Sequence, residues 1–196
     1  MLLKRIIAYL IDMTIVMLAS SMLASISYIN PKLDDYNKVY KEFNEIASQY
    51  SKNEITDEEY NKLVLDYNYQ LEKNNVVTIV ISITTIILYF VLFQKYNNGQ
   101  TLGKRIMKIK IENLSFWRYL LRTLILYNVL FNLLKIILIF TISKENYILA
   151  SNILYVGALM IETTTIVLVN MRRDGRGLHD IISGSHVIEV KNFKEV

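Results

Sequence analysis

Asp12 stands in an apolar run that begins just after Arg5, and Glu162 stands in another near the far end of the chain. A carboxylate inside a hydrocarbon-length segment costs roughly 2.5–3.5 kcal/mol on insertion scales, so it implies a partner or a task. Two chemistries fit. A desolvated intramembrane acid can exchange a proton for a cation. The same acid beside Arg118 or Arg122, at the start of a third apolar run, is half of an ion pair that glues helices together. Interhelical hydrogen bonds in lipid average about 0.6 kcal/mol, so glue needs no special chemistry. The residues leave both readings of Asp12 open.

Other polar side chains recur at helical spacing. Asn75, Thr78, Ser82, Thr85 and Tyr89 form one stripe. Arg118, Arg122, Asn128, Asn132 and Lys135 fall within a sector of about 140° at about 100° per residue. Glu162 shares a face with Tyr155, Ala158 and Thr165, and Asp12 shares one with Arg5, Ala8 and Ala19. Each run thus has a polar or small-residue side, expected to turn inward, away from lipid. At 1.5 Å per residue Asp12 lies about 9 Å and Glu162 about 12 Å in from the same membrane face.

The elements that must position these groups are apolar rods. The chain has 196 residues, 53% of them hydrophobic, and one proline. Four runs approach or exceed the length of a membrane crossing, about 20 residues: Ile6–Ile29, Val76–Phe93, Tyr119–Ile142 and Ile148–Val169. A soluble domain of this length would not carry them. The expected fold is an all-α membrane protein: a four-transmembrane-helix bundle with an extracytoplasmic helical hairpin and a small cytoplasmic β-ribbon. Residues 1–29 form the first span and 30–75 the hairpin insertion. Residues 76–196 hold the other spans, a cytoplasmic loop over 94–118 and a tail over 170–196. Lys and Arg crowd the loop and tail, from Lys104, Arg105 and Arg118 to Arg172, Arg173, Arg176, Lys191 and Lys194. The positive-inside bias therefore places both termini in the cytoplasm, in a multi-pass protein of the cell membrane. The first run is too long for a cleaved signal peptide and carries Asp12.

Within 30–75, Asn30-Pro31 stops the first span and Pro31 opens a helix whose first turn holds Asp34 and Asp35. Tyr36, Val39, Tyr40, Phe43, Ile46, Ala47 and Tyr50 recur at 3–4 spacing, and a turn follows over Ser51–Ile55. Thr56 and Glu59 then make a capping box, and Tyr60, Leu63, Val64, Tyr67 and Leu71 continue a second helix. Two amphipathic helices would cover each other's aromatic stripes. In the loop, Ile109 and Ile111 alternate with Lys108, Lys110 and Glu112. His186–Val190 alternates likewise, so the two segments are expected to pair as a ribbon that brings Asp180 near Arg105.

Several functions are disfavoured. There is no cysteine, and two histidines are too few for a zinc site, so no metal and no cofactor is expected. Gly99-Gln100-Thr101-Leu102-Gly103-Lys104-Arg105 is one residue short of a phosphate-binding loop and lacks the Ser/Thr after the lysine. His179-Asp180 has no accompanying serine, and the chain is not read as an enzyme. The basic loop with Phe116, Trp117 and Tyr119 at its exit fits an interfacial aromatic belt, not nucleic-acid binding.

Three motifs stand in order between the runs. Arg5-Ile6-Ile7-Ala8-Tyr9-Leu10-Ile11-Asp12 resembles the opening signature of the RDD family of small membrane proteins. Asn98-Gly99-Gln100-Thr101-Leu102-Gly103-Lys104-Arg105, with the strand at Ile109–Ile111, looks like that family's central loop. Arg176-Gly177-Leu178-His179-Asp180 with Ser183-Gly184-Ser185 looks like its closing segment. The resemblance covers about 4–29 and 76–190, and carries the family's arginine and two aspartates onto Arg5, Asp12 and Asp180. The chain departs from the pattern at Ser185, where threonine is usual, and in the long insertion over 30–75. The resemblance implies a bacterial inner-membrane protein, with transport, including cation–proton exchange, proposed for some members.

Two functional expectations follow. One is a transporter of cations, protons or small solutes built on the intramembrane acids. Four helices are few to enclose a path, so a homodimer would help. The other is a non-catalytic accessory protein that presents residues 30–75 to an extracytoplasmic protein partner. In both the lipid bilayer is the first partner.

Overall fold

Leucine, isoleucine, valine and methionine, uninterrupted by glycine or proline, wind Leu2–Ala24 into the first helix, α1. Its hydroxyls do not break it. Thr14, Ser20, Ser21 and Ser25 donate back to the carbonyls of Leu10, Val16, Leu18 and Met22, which satisfies them without water. The residues it buries, Ala8, Asp12, Val16, Ser20 and Ala24, recur every fourth position. Our computed structural model describes residues 1–112 and 114–190; Lys191 and Lys194, assigned above to the cytoplasmic tail, lie outside the described residues.

The chain then forms α2 (Leu33–Ser51) and α3 (Asp57–Asn74). The start falls two residues after Pro31, with Lys32 in the capping position. The Thr56–Glu59 capping box forms at the head of α3. The two helices lie against each other: Tyr50 stacks on Tyr60 with centroids 4.0 Å apart, and Phe43 meets Tyr67 at 6.3 Å. Lys135 reaches Glu72 at 3.1 Å and Lys144 reaches Asp66 at 2.8 Å, so α3 is fastened to the helices below it.

After Asn75 the second apolar helix, α4, runs Val76–Tyr96, with a π-helical stretch over Leu88–Phe93. A short helix α5 (Leu102–Ile106) and strand β1 (Ile109–Ile111) follow. The third apolar run is not one rod. It divides into α6 (Phe116–Leu126) and α7 (Val129–Thr141), bent 71° at Tyr127-Asn128. Asn128 takes the left-handed conformation at φ 54°, which asparagine tolerates better than most residues. The single sector drawn through Arg118, Arg122, Asn128, Asn132 and Lys135 is therefore split by the bend. The last long helix, α8, spans Lys144–Met171, and α9 (Leu178–Ser183) leads into β2 (Val187–Glu189). Among the described residues three helices are long and apolar enough to cross a membrane, and the bent pair makes a fourth if it counts as one span.

β1 and β2 pair antiparallel, with Ile109 opposite Glu189 and Ile111 opposite Val187. The ribbon expected from the alternation is present, and it buries Ile109 and Ile111. Val91, Leu114 and Tyr119 join Ile111 in one core. A second core joins Val16, Ile83, Ile86, Phe90, Tyr127 and Val129, with Phe90 stacked on Tyr127 at 3.9 Å. The buried side of α4 is thus Ile83, Ile86, Phe90, Val91 and Gln94. Ser82 and Thr85 of the expected polar stripe are only half-buried, and Thr85 donates to the Ile81 carbonyl of its own helix. Thr78 does reach across the bundle, accepting from Asn30 at 3.2 Å.

Helix α1 packs on α4 and α5, whereas α8 packs on α3, α7 and α9. A partly open cavity of about 610 Å³ lies between α1, α6 and α8.

Candidate functional site: two buried aspartates and a cavity beside them

Asp12 is 1% exposed. Its partners are not Arg118 or Arg122. The hydroxyl of Tyr89 donates to Oδ1 at 2.7 Å, the backbone N–H of Gly103 donates to Oδ1 at 2.8 Å, and the hydroxyl of Thr101 donates to Oδ2. The ammonium of Lys104 lies 3.9 Å from Oδ2, over the ring of Phe90 and within 3.3 Å of Gln94 Oε1 and Thr101 Oγ1. Each group is local in origin. Thr101 caps α5, accepting the Lys104 N–H on the same oxygen it turns to Asp12. Gly99 makes the turn before it with φ +80°, its Cα so close to the Ile111 carbonyl that a Cβ would stand 2.0 Å from that oxygen. The Gly99-to-Lys104 motif is thus a carboxylate cradle that locks α5 onto α1. Burial, with the charge of Arg122 added, lowers the Lys104 ammonium to about 7, although Asp12 and Asp180 pull the other way.

Asp180, the other aspartate, is 0% exposed. Arg5 donates one guanidinium nitrogen to Oδ2 and another to the Gly175 carbonyl. Arg122 donates Nε to Oδ1 at 3.0 Å, Ser185 its hydroxyl to Oδ1 at 2.8 Å, and Gly177 its N–H to Oδ2 at 3.3 Å. His179 Nε2 lies 3.3 Å from Oδ1. Burial alone would raise the Asp180 carboxyl, but Arg122, His179 and Arg5 outweigh it and hold it well below the usual carboxylate range. Burial and the charge of Arg122 pull His179 down to about 4, so it is neutral at physiological pH. A threonine at position 185 has the same hydroxyl donor with which Ser185 bonds Asp180.

The ribbon does not bring Asp180 to Arg105, which instead donates to Asn97 at 3.0 Å. Arg118 is exposed beside Gly184. Arg5 and Arg122 do converge, but on Asp180. The separation is steric: α5 occupies the face of α1 around Asp12, and α9 packs on α6 around Arg122.

Glu162, unlike Asp12 and Asp180, is exposed, and of the face expected to turn inward with it Tyr155 is also exposed and only Ala158 is buried. Glu162 lines the cavity and takes a hydrogen bond from the side chain of Asn128 at the break of the third run. Arg5, Tyr9, Lys104, Arg122 and His179 edge the same cavity, whose remaining walls are largely apolar. Asn132, the other amide expected to face inward, is half-buried and lies on α7 beyond the bend. Among the described residues no three His, Asp or Glu side chains are grouped to hold a metal ion.

Sequence reasoning missed Thr101, Gly103 and Lys104 as the partners of Asp12. The signal present was a threonine, a residue type that starts helices, standing between Gly99 and Gly103. It missed His179 and Ser185 as partners of Asp180 because hydroxyl and imidazole contacts carry no periodicity.

Neither a comparison with curated proteins nor one with solved structures yields a match. The family model described as "RDD family" matches residues 1–184. That match spans most of the chain, and the chain belongs to the RDD family.

Proposed function

We propose that this is a multi-pass protein of the cell membrane that carries protons or small cations, with Glu162 as the exchanging acid. One observation carries the reading. Asp12 and Asp180 are saturated by side-chain and backbone donors, whereas Glu162 faces a cavity with Asn128 as its one donor among the described residues. An intramembrane acid that the fold leaves open is a functional group by default. The break at Asn128 adds to this. An interrupted span frees carbonyl groups at the end of its first half, and such carbonyls at membrane depth are tolerated where they line a cavity. Interrupted helices are a recurring device for ion sites in transporters. Asp12 and Asp180 are then positioning groups that hold α5 and α9 against the bundle.

The Lys and Arg residues of 94–118 and 172–176 support a cytoplasmic placement of that end and an outward placement of α2 and α3. The test is reconstitution into liposomes carrying a pH-sensitive dye, with Na⁺ or K⁺ gradients imposed. The expected result is cation-dependent proton movement by the native chain and none by Glu162→Gln, with the variant unfolding at the native temperature. Undiminished flux through folded Glu162→Gln, or no flux under any gradient, would defeat the proposal.

A further inference from the structure

The cavity has a second polar feature, at its cationic end. Arg122 is 5% exposed, yet only its Nε is engaged; no acceptor among the described residues takes its terminal nitrogens. A buried guanidinium with idle donors is costly unless something accepts from them. The side chain lines the cavity together with Arg5, Lys104 and His179. Asp180, the anion of this cluster, is already filled by Arg5, Arg122, Ser185 and Gly177. The walls leading away from it are apolar: Leu2, Ile6 and Leu10 on α1, and Ile166 and Val169 on α8. Leu10 and Ile166 are 58% and 63% exposed, so the cavity grades into the outer surface of the bundle between the first and last long helices. A volume of 610 Å³ lies within the range of ligand sites, about 300–1,000 Å³.

A molecule that matches this has an anionic head and an apolar body, and reaches the site sideways from the bilayer. We infer that the cavity between α1, α6 and α8 binds an acidic glycerophospholipid, its phosphate on the terminal nitrogens of Arg122 and an acyl chain along Ile6, Ile166 and Val169. The placement suits the depth of each part. Gly177, which donates to the Asp180 held by Arg5 and Arg122, lies against Thr165 and Val169, and Glu162 precedes these on α8 by three and seven residues, so it stands roughly 5–10 Å deeper at about 1.5 Å per residue. The anionic head and the Glu162 carboxylate therefore do not share one end of the cavity. Basic pockets between helices at the cytoplasmic side are a known chemistry for acidic headgroups. This inference requires no flux through Glu162, and its test measures none.

The purified full chain, stripped of lipid in a neutral detergent, is titrated with phosphatidylglycerol and with phosphatidylcholine of the same acyl chains, and bound lipid is counted by native mass spectrometry. Phosphatidylglycerol is expected to bind more tightly by on the order of tenfold. Arg122→Gln should abolish the preference. Because Arg122 also holds Asp180, a second variant leaves the ion cluster untouched: Ile166→Trp fills the wall and should lose phosphatidylglycerol at an unchanged thermal midpoint. Equal retention of the two lipids would overturn the inference, as would unaltered phosphatidylglycerol binding by folded Ile166→Trp. Displacement by oleate as effective as displacement by phosphatidylglycerol would overturn the phosphate assignment.

Discussion

The backbone N–H of Gly103 donates to Asp12 Oδ1 at 2.8 Å, and the approach that makes this bond leaves no room for a side chain on Gly103. A Cβ there would lie 2.3 Å from the Ala8 carbonyl oxygen and 2.9 Å from Asp12 Cγ. One obstacle is backbone and the other is a carboxylate fixed by Tyr89 and Thr101, so neither yields cheaply. Gly103→Ala is expected to cost about 2–4 kcal/mol, through overpacking and through loss of a hydrogen bond to a charged group. The thermal midpoint of the purified variant in detergent checks this. A midpoint equal to that of the native chain would mean that α5 is free to move off α1.

Arg5 and Arg122 share Asp180 from two different helices, α1 and α6. Removing either cation alone leaves a buried carboxylate under-compensated, a loss of roughly 3–5 kcal/mol. Removing cation and anion together leaves less unpaired charge. The double variant Arg5→Gln/Asp180→Asn should therefore be less destabilised than the sum of its single changes, by about 0.5–3 kcal/mol. Urea or thermal unfolding of the four proteins closes the cycle. Strict additivity would show that the arginine contributes nothing through Asp180.

The long helices, the capping box at Thr56 and the pairing of β1 with β2 were legible because they rest on periodicity and local chemistry. Asp12 was legible as important because an ionised group in an apolar run is costly, and Arg5 and Asp180 because their motifs resemble those of the RDD family. Their partners were not. Asp12 is bound by a hydroxyl 77 residues away and by an N–H 91 residues away, and no spacing rule links such positions. The break at Tyr127-Asn128 was hidden for another reason. Asparagine is a weak breaker in an otherwise apolar run, and the left-handed turn there is fixed by packing: Tyr127 stacks on Phe90, and Val129 is fully buried. Tertiary contacts overrode a helical pattern that was continuous in sequence.

Protonation of His179 sets a pH limit on this end of the molecule. Its folded value, about 4, lies below the ordinary histidine value of 6.5, so the unfolded chain binds the proton more readily. Stability is therefore lost as pH falls from about 6.5 to about 4, at up to about 1.4 kcal/mol per pH unit. Asp180 does not mask this, because its depressed value withdraws stability only below the ordinary aspartate value of 3.8. His179→Gln should flatten the midpoint-versus-pH curve between pH 6.5 and 4. An unchanged slope in the variant would place the acid sensitivity elsewhere.

Asn128 has two separable duties, and two substitutions divide them. Its φ of 54° strains a residue with an ordinary side chain, and its amide donates to Glu162. Asn128→Ala loses both, and should destabilise the protein by about 1–2 kcal/mol from the left-handed backbone alone. Asn128→Gly accepts the backbone conformation and removes only the amide, so the break in the third run is kept. A hydrogen bond to a charged group is worth about 1.5–3 kcal/mol, enough to change cation affinity at Glu162 by on the order of tenfold or more. Cation titrations of proton flux in liposomes should therefore show a shifted half-saturation for Asn128→Gly, which loses less stability than Asn128→Ala because the backbone conformation is kept. If folded Asn128→Gly has native half-saturation and native flux, the amide is only a helix-end device, and Glu162 works without it.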